Sequence, residues 1–333
     1  MYSRTLSKMC VASVALLLVA LSAPSICFSA EKKMLTWGTT SSTSGLFSLF
    51  VMMSKIINDQ VPEINVSVRS TGASVHNVKL FEKNEIDIGA IDTRTAWQAS
   101  QGKGPFEGKA VPNLRLLHVI TWNNAIQFVV SETSGIKNIY DLNGRTFTAG
   151  MLGSSTEMNA TDIFNALGIH PKLRHSSYAD AVEAMKNQMI VGFGKSVAPD
   201  SSILEVMSAM KIRILSLSDT EIEQIQKGVS GLSKIVLPSG IYPGIGEVKT
   251  VESQYCDFVT KDLPSEIGYK ILKALWEKRK DIKNVNGAFI GDELTGAVNI
   301  KAPVYLHSGA VKFYKEIGLN VPKSLIPPET GDR

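Results

Sequence analysis

At 333 residues, 44% of them hydrophobic and only 20% charged, the chain can bury a large core and is too apolar to stay disordered. A formal charge of +4 is modest. The densest charged run, Glu277-Lys278-Arg279-Lys280-Asp281, reads as a solvated helix face, so nucleic acid is a poor candidate partner. Two of the three cysteines, Cys10 and Cys27, fall in the N-terminal segment described next. Only Cys256 is left to the rest of the chain, which argues against an internal disulfide or a cysteine-held metal there.

Residues 1–30 carry the three parts of a secretory signal: Arg4 and Lys8, the apolar run Val11 to Leu21, then Pro24 and the small Ser29 and Ala30. The run is shorter than the roughly 18 to 20 residues that a membrane span needs. Cleavage near Ser29 or Ala30 and export to the periplasm are therefore expected. Next, Leu35-Thr36-Trp37-Gly38 gives way to Thr39, Thr40, Ser41, Ser42, Thr43, Ser44 and Gly45, and then to the apolar spacing Leu46, Phe47, Leu49, Phe50, Met53. This reads as strand, loop and helix, and a hydroxyl loop opening a helix presents N–H groups and hydroxyls to an anion. The same residues also serve as ordinary N-caps, which is the plainer reading of a single copy. The pattern recurs, however, at Ser70-Thr71-Gly72-Ala73-Ser74 after Ile64-Val66-Val68, and at Gly153-Ser154-Ser155-Thr156 after Arg145-Thr146-Phe147-Thr148. Three such junctions at the carboxyl edges of strands predict a composite ligand site.

Strands are expected at Met34 to Gly38, Ile64 to Ser70, Ile86 to Ile91, Leu114 to Val119, Ile126 to Ser131, Thr146 to Ala149, Ile190 to Gly194, Ile212 to Leu217 and Gln254 to Thr260, with helices between them. This alternation predicts α/β layers in two lobes. His76, His118, His170, His175 and His307 lack the spacing of a zinc site, and the Ser beside His307 has no nucleophile elbow. Asp59, Asp87, Asp141 and Asp162 read as caps. Trp37, Trp97, Trp122 and Tyr242 could pack in a core or line a cleft. Trp122, beside Asn123 and Asn124, suits a hinge-side ligand contact best.

The order Gly38-Thr39, Ser70-Thr71-Gly72-Ala73-Ser74-Val75-His76-Asn77, Glu85-Ile86-Asp87-Ile88-Gly89, Ile139-Tyr140-Asp141-Leu142-Asn143-Gly144-Arg145 and Leu306-His307-Ser308-Gly309-Ala310 resembles the TAXI family. These proteins are the solute-binding subunits of one branch of tripartite ATP-independent periplasmic (TRAP) transporters. The resemblance implies an α/β periplasmic-binding-protein type II fold with a discontinuous first lobe, residues 31–127 plus 251–333, and a second lobe at 128–250. It also implies a monomer that closes an interlobe cleft on a small anionic ligand, a carboxylate, and passes it to TRAP permease subunits. No catalysis and no cofactor follow from it. A ligand-sensing protein that docks on a membrane receptor and a secreted enzyme on the same scaffold are the alternatives.

The chain departs from the family in three places. It has Leu46 and Phe47 where two tyrosines are common, Asp92-Thr93-Arg94 where Gln-Ser-Asp is common, and Val191-Gly192-Phe193 where Asp-Ala-Phe is common. Arg94 is expected either to enter the cleft as a bidentate anchor for the ligand or to sit outside it on a helix start. The ligand-binding set expected is Thr39, Thr40, Ser41, Thr43 and Phe47; Thr71, Gly72, Ala73 and Ser74; Asp92, Thr93 and Arg94; Trp122; Ser154, Ser155 and Thr156; and Tyr242.

Overall fold

The computed structural model describes residues 32–44, 46–121, 124–283, 293–300 and 304–330, so the signal-like segment and Trp122 lie outside the described residues. Strand β1 (Lys33–Gly38) buries Leu35 and Trp37, and pairs in parallel with β2 (Ile64–Arg69), Leu35 facing Val66. Between them α1 (Phe47–Gln60) carries Leu49, Phe50, Met53, Ile56 and Ile57 at helical spacing. That stripe packs on the sheet, where Phe50 meets Trp37 edge to face at 5.5 Å. Helix α2 (Ser74–Glu82) leads to β3 (Ile88–Asp92), which is buried at every position as a central strand must be, and α3 (Thr93–Gln101) leads on to β4 (Leu114–Thr121).

The chain then crosses to a second set of elements. These are β5 (Gln127–Ser131), β6 (Thr146–Gly150), α4 (Ser155–Leu167), β7 (Lys172–His175), α5 (Tyr178–Lys186), β8 (Gly192–Lys195), α6 (Ser201–Ala209), β9 (Ile212–Ile214), α7 (Asp219–Gly228), β10 (Ser233–Leu237) and β11 (Val248–Glu252). It returns through Ser253 and Gln254 to β12 (Tyr255–Thr260), followed by α8 (Ser265–Glu277), α9 (Arg279–Lys283) and α10 (Ser308–Glu316).

Two five-stranded sheets result, in the orders β2-β1-β3-β12-β4 and β7-β6-β8-β5-β9. The two orders are the same pattern. In each sheet the first strands run parallel and one antiparallel strand enters at the fourth place: β12 between β3 and β4, and β5 between β8 and β9. Each antiparallel strand follows directly on a crossing from the other lobe. The two crossing segments hold each other, with Ile126 N–H donating to Val251 O at 2.9 Å and Thr250 Oγ1 donating to Ile126 O. Glycine lets β8 fit its place, because a Cβ on Gly192 would lie 2.0 Å from the carbonyl oxygen of Val129 on β5.

Strands occur at all nine expected places, with ends shifted by up to three residues, and three more are present. β7 reads Lys-Leu-Arg-His at a sheet edge and so lacks an apolar run. β10 and β11 pair with each other as an antiparallel ribbon whose Leu237 and Val248 enter the second lobe's core. One core fills the first lobe. The second lobe's sheet is covered on both faces, by a cluster around Phe128, Phe147 and Phe164 and by another around Met185, Phe193 and Val206.

Candidate ligand-binding site

A cavity of about 40 Å3 lies between the lobes. Its lining draws on all three hydroxyl loops: Thr40, Ser44 and Leu46 ahead of α1; Gly72 and Ala73 ahead of α2; Ser154, Ser155 and Thr156 at the start of α4. Residues of all three strand-to-helix junctions therefore line one cavity. Ser154 caps α4 by accepting from Glu157 N–H at 3.1 Å. The preceding N–H groups, those of Ser155 and Thr156, have no intrahelical acceptor, as at any helix start, and carry the positive end of the dipole.

Other lining residues, Asn124 apart, come from positions that sequence reasoning did not single out. Lys195 ends β8 and Ser196 follows it, Tyr178 begins α5, Asn124 lies on the first crossing, and Tyr255 opens β12 after the second. Lys195 is buried, with Nζ 3.2 Å from Asp200 Oδ2 and 3.4 Å from the centre of the Tyr178 ring. The Tyr178 hydroxyl lies 3.4 Å from Thr156 Oγ1, and Thr156 Oγ1 lies 2.8 Å from Ser196 Oγ. Asn124 donates to Ser253 O and so ties the crossings together beside the cavity. Two non-glycine residues with positive φ, Ala73 at 66° and Val197 at 73°, line the cavity from opposite lobes. Such strain gathers at functional sites, and for a β-branched valine it is uncommon.

The rest of the expected set lies off this cavity, each for a local reason. Thr39 is sealed, its hydroxyl on Arg69 O at 3.0 Å, while Thr71 gives its hydroxyl to Thr39 O at 3.0 Å. Ser41 and Thr43 bond each other at 2.8 Å in a surface turn, and Phe47 is half-buried at the start of α1. Ser74 Oγ accepts from Asp92 N–H at 3.1 Å. Asp92 itself caps α3 by accepting from Thr95 N–H at 3.0 Å, and Thr93 is tied to Gln254 O at 2.9 Å. Tyr242 is a core residue whose hydroxyl accepts from Asp200 N–H at 3.0 Å. Trp122 lies outside the described residues.

Arg94 also lies off the lining, and its guanidinium is committed across the lobes. Nε donates to Ser230 O at 3.0 Å, Nη1 to Asn159 Oδ1 at 2.8 Å and Nη2 to Asp162 Oδ2 at 2.5 Å. Asp162, expected as a cap, is instead its ion-pair partner within α4.

The groups that would suit an enzyme are enclosed elsewhere. His118 Nδ1 must carry the proton, since it faces the Val119 carbonyl at 3.0 Å, and burial pushes the ring down to about 4. Nε2 then lies 3.3 Å from Asp257 Oδ2, and burial pushes that carboxyl well up. Burial thus disfavours charge on both partners, and the pair has no exposed face. His307 donates from Nε2 to Leu263 O at 2.9 Å and caps α10 through Nδ1. A larger depression of about 470 Å3 opens on the first lobe beside Arg115, Phe258 and Leu325, but Arg115 is already forked onto Glu329 at 2.6 and 3.1 Å. The interlobe cavity is the better candidate because polar groups from both lobes converge there.

A sequence model of the NMT1-like family matches residues 37–318. Among solved structures, PhnD1 from Prochlorococcus marinus, in complex with methylphosphonate, is 15% identical, with a TM-score of 0.53 over 86% of this chain and 97% of that one. A protein from Bordetella bronchiseptica is 14% identical, with a TM-score of 0.50 over 90% and 86%. The periplasmic aliphatic sulphonate binding protein SsuA from Escherichia coli is 13% identical, with a TM-score of 0.47 over 86% and 84%. At these identities the likeness is one of fold. The chain has the two-lobed α/β periplasmic-binding-protein architecture.

Proposed function

The chain belongs to the NMT1-like family, and we propose that it is an extracytoplasmic solute-binding protein which closes on a small anionic metabolite, a carboxylate, and delivers it to a TRAP-type membrane permease. The observation that carries this reading is the convergence of hydroxyl loops from both lobes on one cavity, with the start of α4 and a buried Lys195 in its lining. Thr40, Gly72, Ala73, Ser154, Ser155 and Thr156 are the residues from the expected set that would contact the ligand. A ligand held by both lobes favours the closed state, and only that difference in affinity shifts the equilibrium. No enzymatic step is part of this reading. PhnD1 is described in complex with methylphosphonate, itself a small anion. The TRAP-type partner rests on the order of motifs from Gly38 to Ala310, and the periplasmic address on the signal-like first 30 residues.

A thermal-shift screen across organic acids, amino acids and sulfonates tests the proposal. At a free concentration of 100 Kd a ligand of the native state adds about 2.7 kcal/mol, enough to raise Tm by several degrees. If no small anion raised Tm at millimolar concentration, the reading would fall.

A further inference from the structure

We infer that the ligand's acid group is received by the Tyr255 hydroxyl from the first lobe and the Lys195 ammonium from the second, and that this pair selects a singly charged acid; the inference rests on the function proposed above.

Tyr255 is 4% exposed and lines the cavity, and its hydroxyl has no hydrogen-bond partner in the protein. The other well-buried tyrosine hydroxyls are engaged: Tyr242 with Asp200 N–H, Tyr314 with Leu117 O and Leu294 O, and Tyr178 with Thr156 Oγ1. A buried hydroxyl left unpaired is unfavourable, and at a cavity wall the missing partner is most simply a ligand atom. The strand fixes the phenol in place, since β12 is held between β3 and β4 with Tyr255 opposite Asp92 and Thr121. Burial pushes its ionisation well up, so the phenol keeps its proton and can donate to an acceptor on the ligand.

Lys195 supplies the charge opposite. It is 3% exposed, and Asp200 balances it before any ligand arrives. An ammonium has three hydrogens, so the ion pair with Asp200 leaves donors for a second acceptor. Among the described lining residues Lys195 is the sole charged one. A monoanion would meet one cation, already screened by Asp200, together with the dipoles of α4. A dianion would bring a second charge into a buried site with nothing to balance it. The chemistry common to the favoured ligands is therefore a monovalent oxyanion, either a carboxylate or a sulfonate. The cavity of about 40 Å3 leaves little room beyond the acid group unless the lobes part.

The probes are propionate, methanesulfonate and methylphosphonate, titrated calorimetrically under mildly alkaline conditions that make the last largely dianionic. The parent is expected to bind at least one monoanion and to bind it more tightly than methylphosphonate. Tyr255→Phe should weaken that binding about tenfold or more, with the Tm of the ligand-free protein unchanged or raised, because the lost hydroxyl bonds nothing in the protein. Lys195→Met should abolish binding. The double variant Lys195→Met/Asp200→Asn, which leaves no unpaired carboxylate behind, separates that loss from misfolding. Equal affinity of Tyr255→Phe and the parent overturns the inference while the functional reading stands, and so does tighter binding of the dianion. A parent that binds none of these probes, nor any other small anion, overturns both.

Discussion

Glu252 ends β11 at the second crossing, bridged to Ala125 on the first, and its Oε2 has no partner. Burial raises its carboxyl from 4.5 to about 7. In the unfolded chain this group loses its proton near the lower value, whereas the folded protein keeps it to the higher one. Between the two the native state binds more protons, so this carboxyl makes stability fall as pH rises through the window. Glu252→Gln stays neutral throughout. Its Tm relative to the parent is expected to climb as pH goes from below 4.5 to above 7, and calorimetric melts across that range would show it. A constant offset would mean that the carboxyl is better solvated than its place suggests. The same contrast between local and distant causes decides which site residues a sequence reveals. Ser154, Ser155 and Thr156 were legible because a strand, a hydroxyl loop and a helix follow one another in the chain, and the geometry of a helix start does the rest. Tyr255 and Lys195 were not. Each ends up beside the cavity because its strand is inserted into a sheet by distant partners, β3 and β4 for one and β5 and β6 for the other.

At the scale of elements, apolar periodicity finds the buried central strands and misses two that are half-exposed, along with the largely buried β11. β7 is a charged edge, and β10 alternates half-buried and exposed positions until Leu237, so neither shows the unbroken run that marks a central strand. Helix α3 shows a different gap. Asp92, expected at the ligand, is its N-cap, and the direction of Arg94 depends on α4 packing beside it from the other lobe. There the first lobe reaches the second through Ser230 O, Asn159 and Asp162. These bonds require the lobes to be together, and the role they predict for Arg94 is a latch on closure. Arg94→Met keeps the stem that packs on Gly231 and removes all three bonds. The expected loss is about 1 to 2 kcal/mol, below the full value of a buried charged pair because the Asp162 side chain is 36% exposed. Urea denaturation would measure the loss. Small-angle scattering of the ligand-free variant should give a larger radius of gyration than the parent, and an unchanged radius would show that the latch does not hold the lobes.

For the whole molecule, the matching strand orders conceal an asymmetry in how the chain builds each lobe. The second sheet takes all its strands from one continuous stretch, β5 to β9, and the β10–β11 ribbon that completes its core follows directly. The first sheet cannot be completed until the chain has traversed that lobe and come back, because β12 sits inside it between β3 and β4. Without β12, β3 and β4 have no shared neighbour. Phe258 and Val259 would be missing from the core, and two strand edges would lie open to water. The helices after β12, α8 and α10, also supply Leu272, Leu275, Phe313 and Tyr314 to that core. A fragment of residues 124–252 is therefore expected to fold alone, with α/β circular dichroism and a cooperative melt. A fragment of residues 33–121 is expected to stay unfolded or to aggregate through its unpaired edges. The second-lobe fragment should be less stable than the full chain, since Met158 and Val197, which pack against the first lobe's core, would lose their cover. Adding residues 253–333 in trans to fragment 33–121 should restore structure to the first lobe, because it returns β12 and both helices. A first-lobe fragment that melted cooperatively without them would show that the inserted strand decorates the sheet and does not complete it.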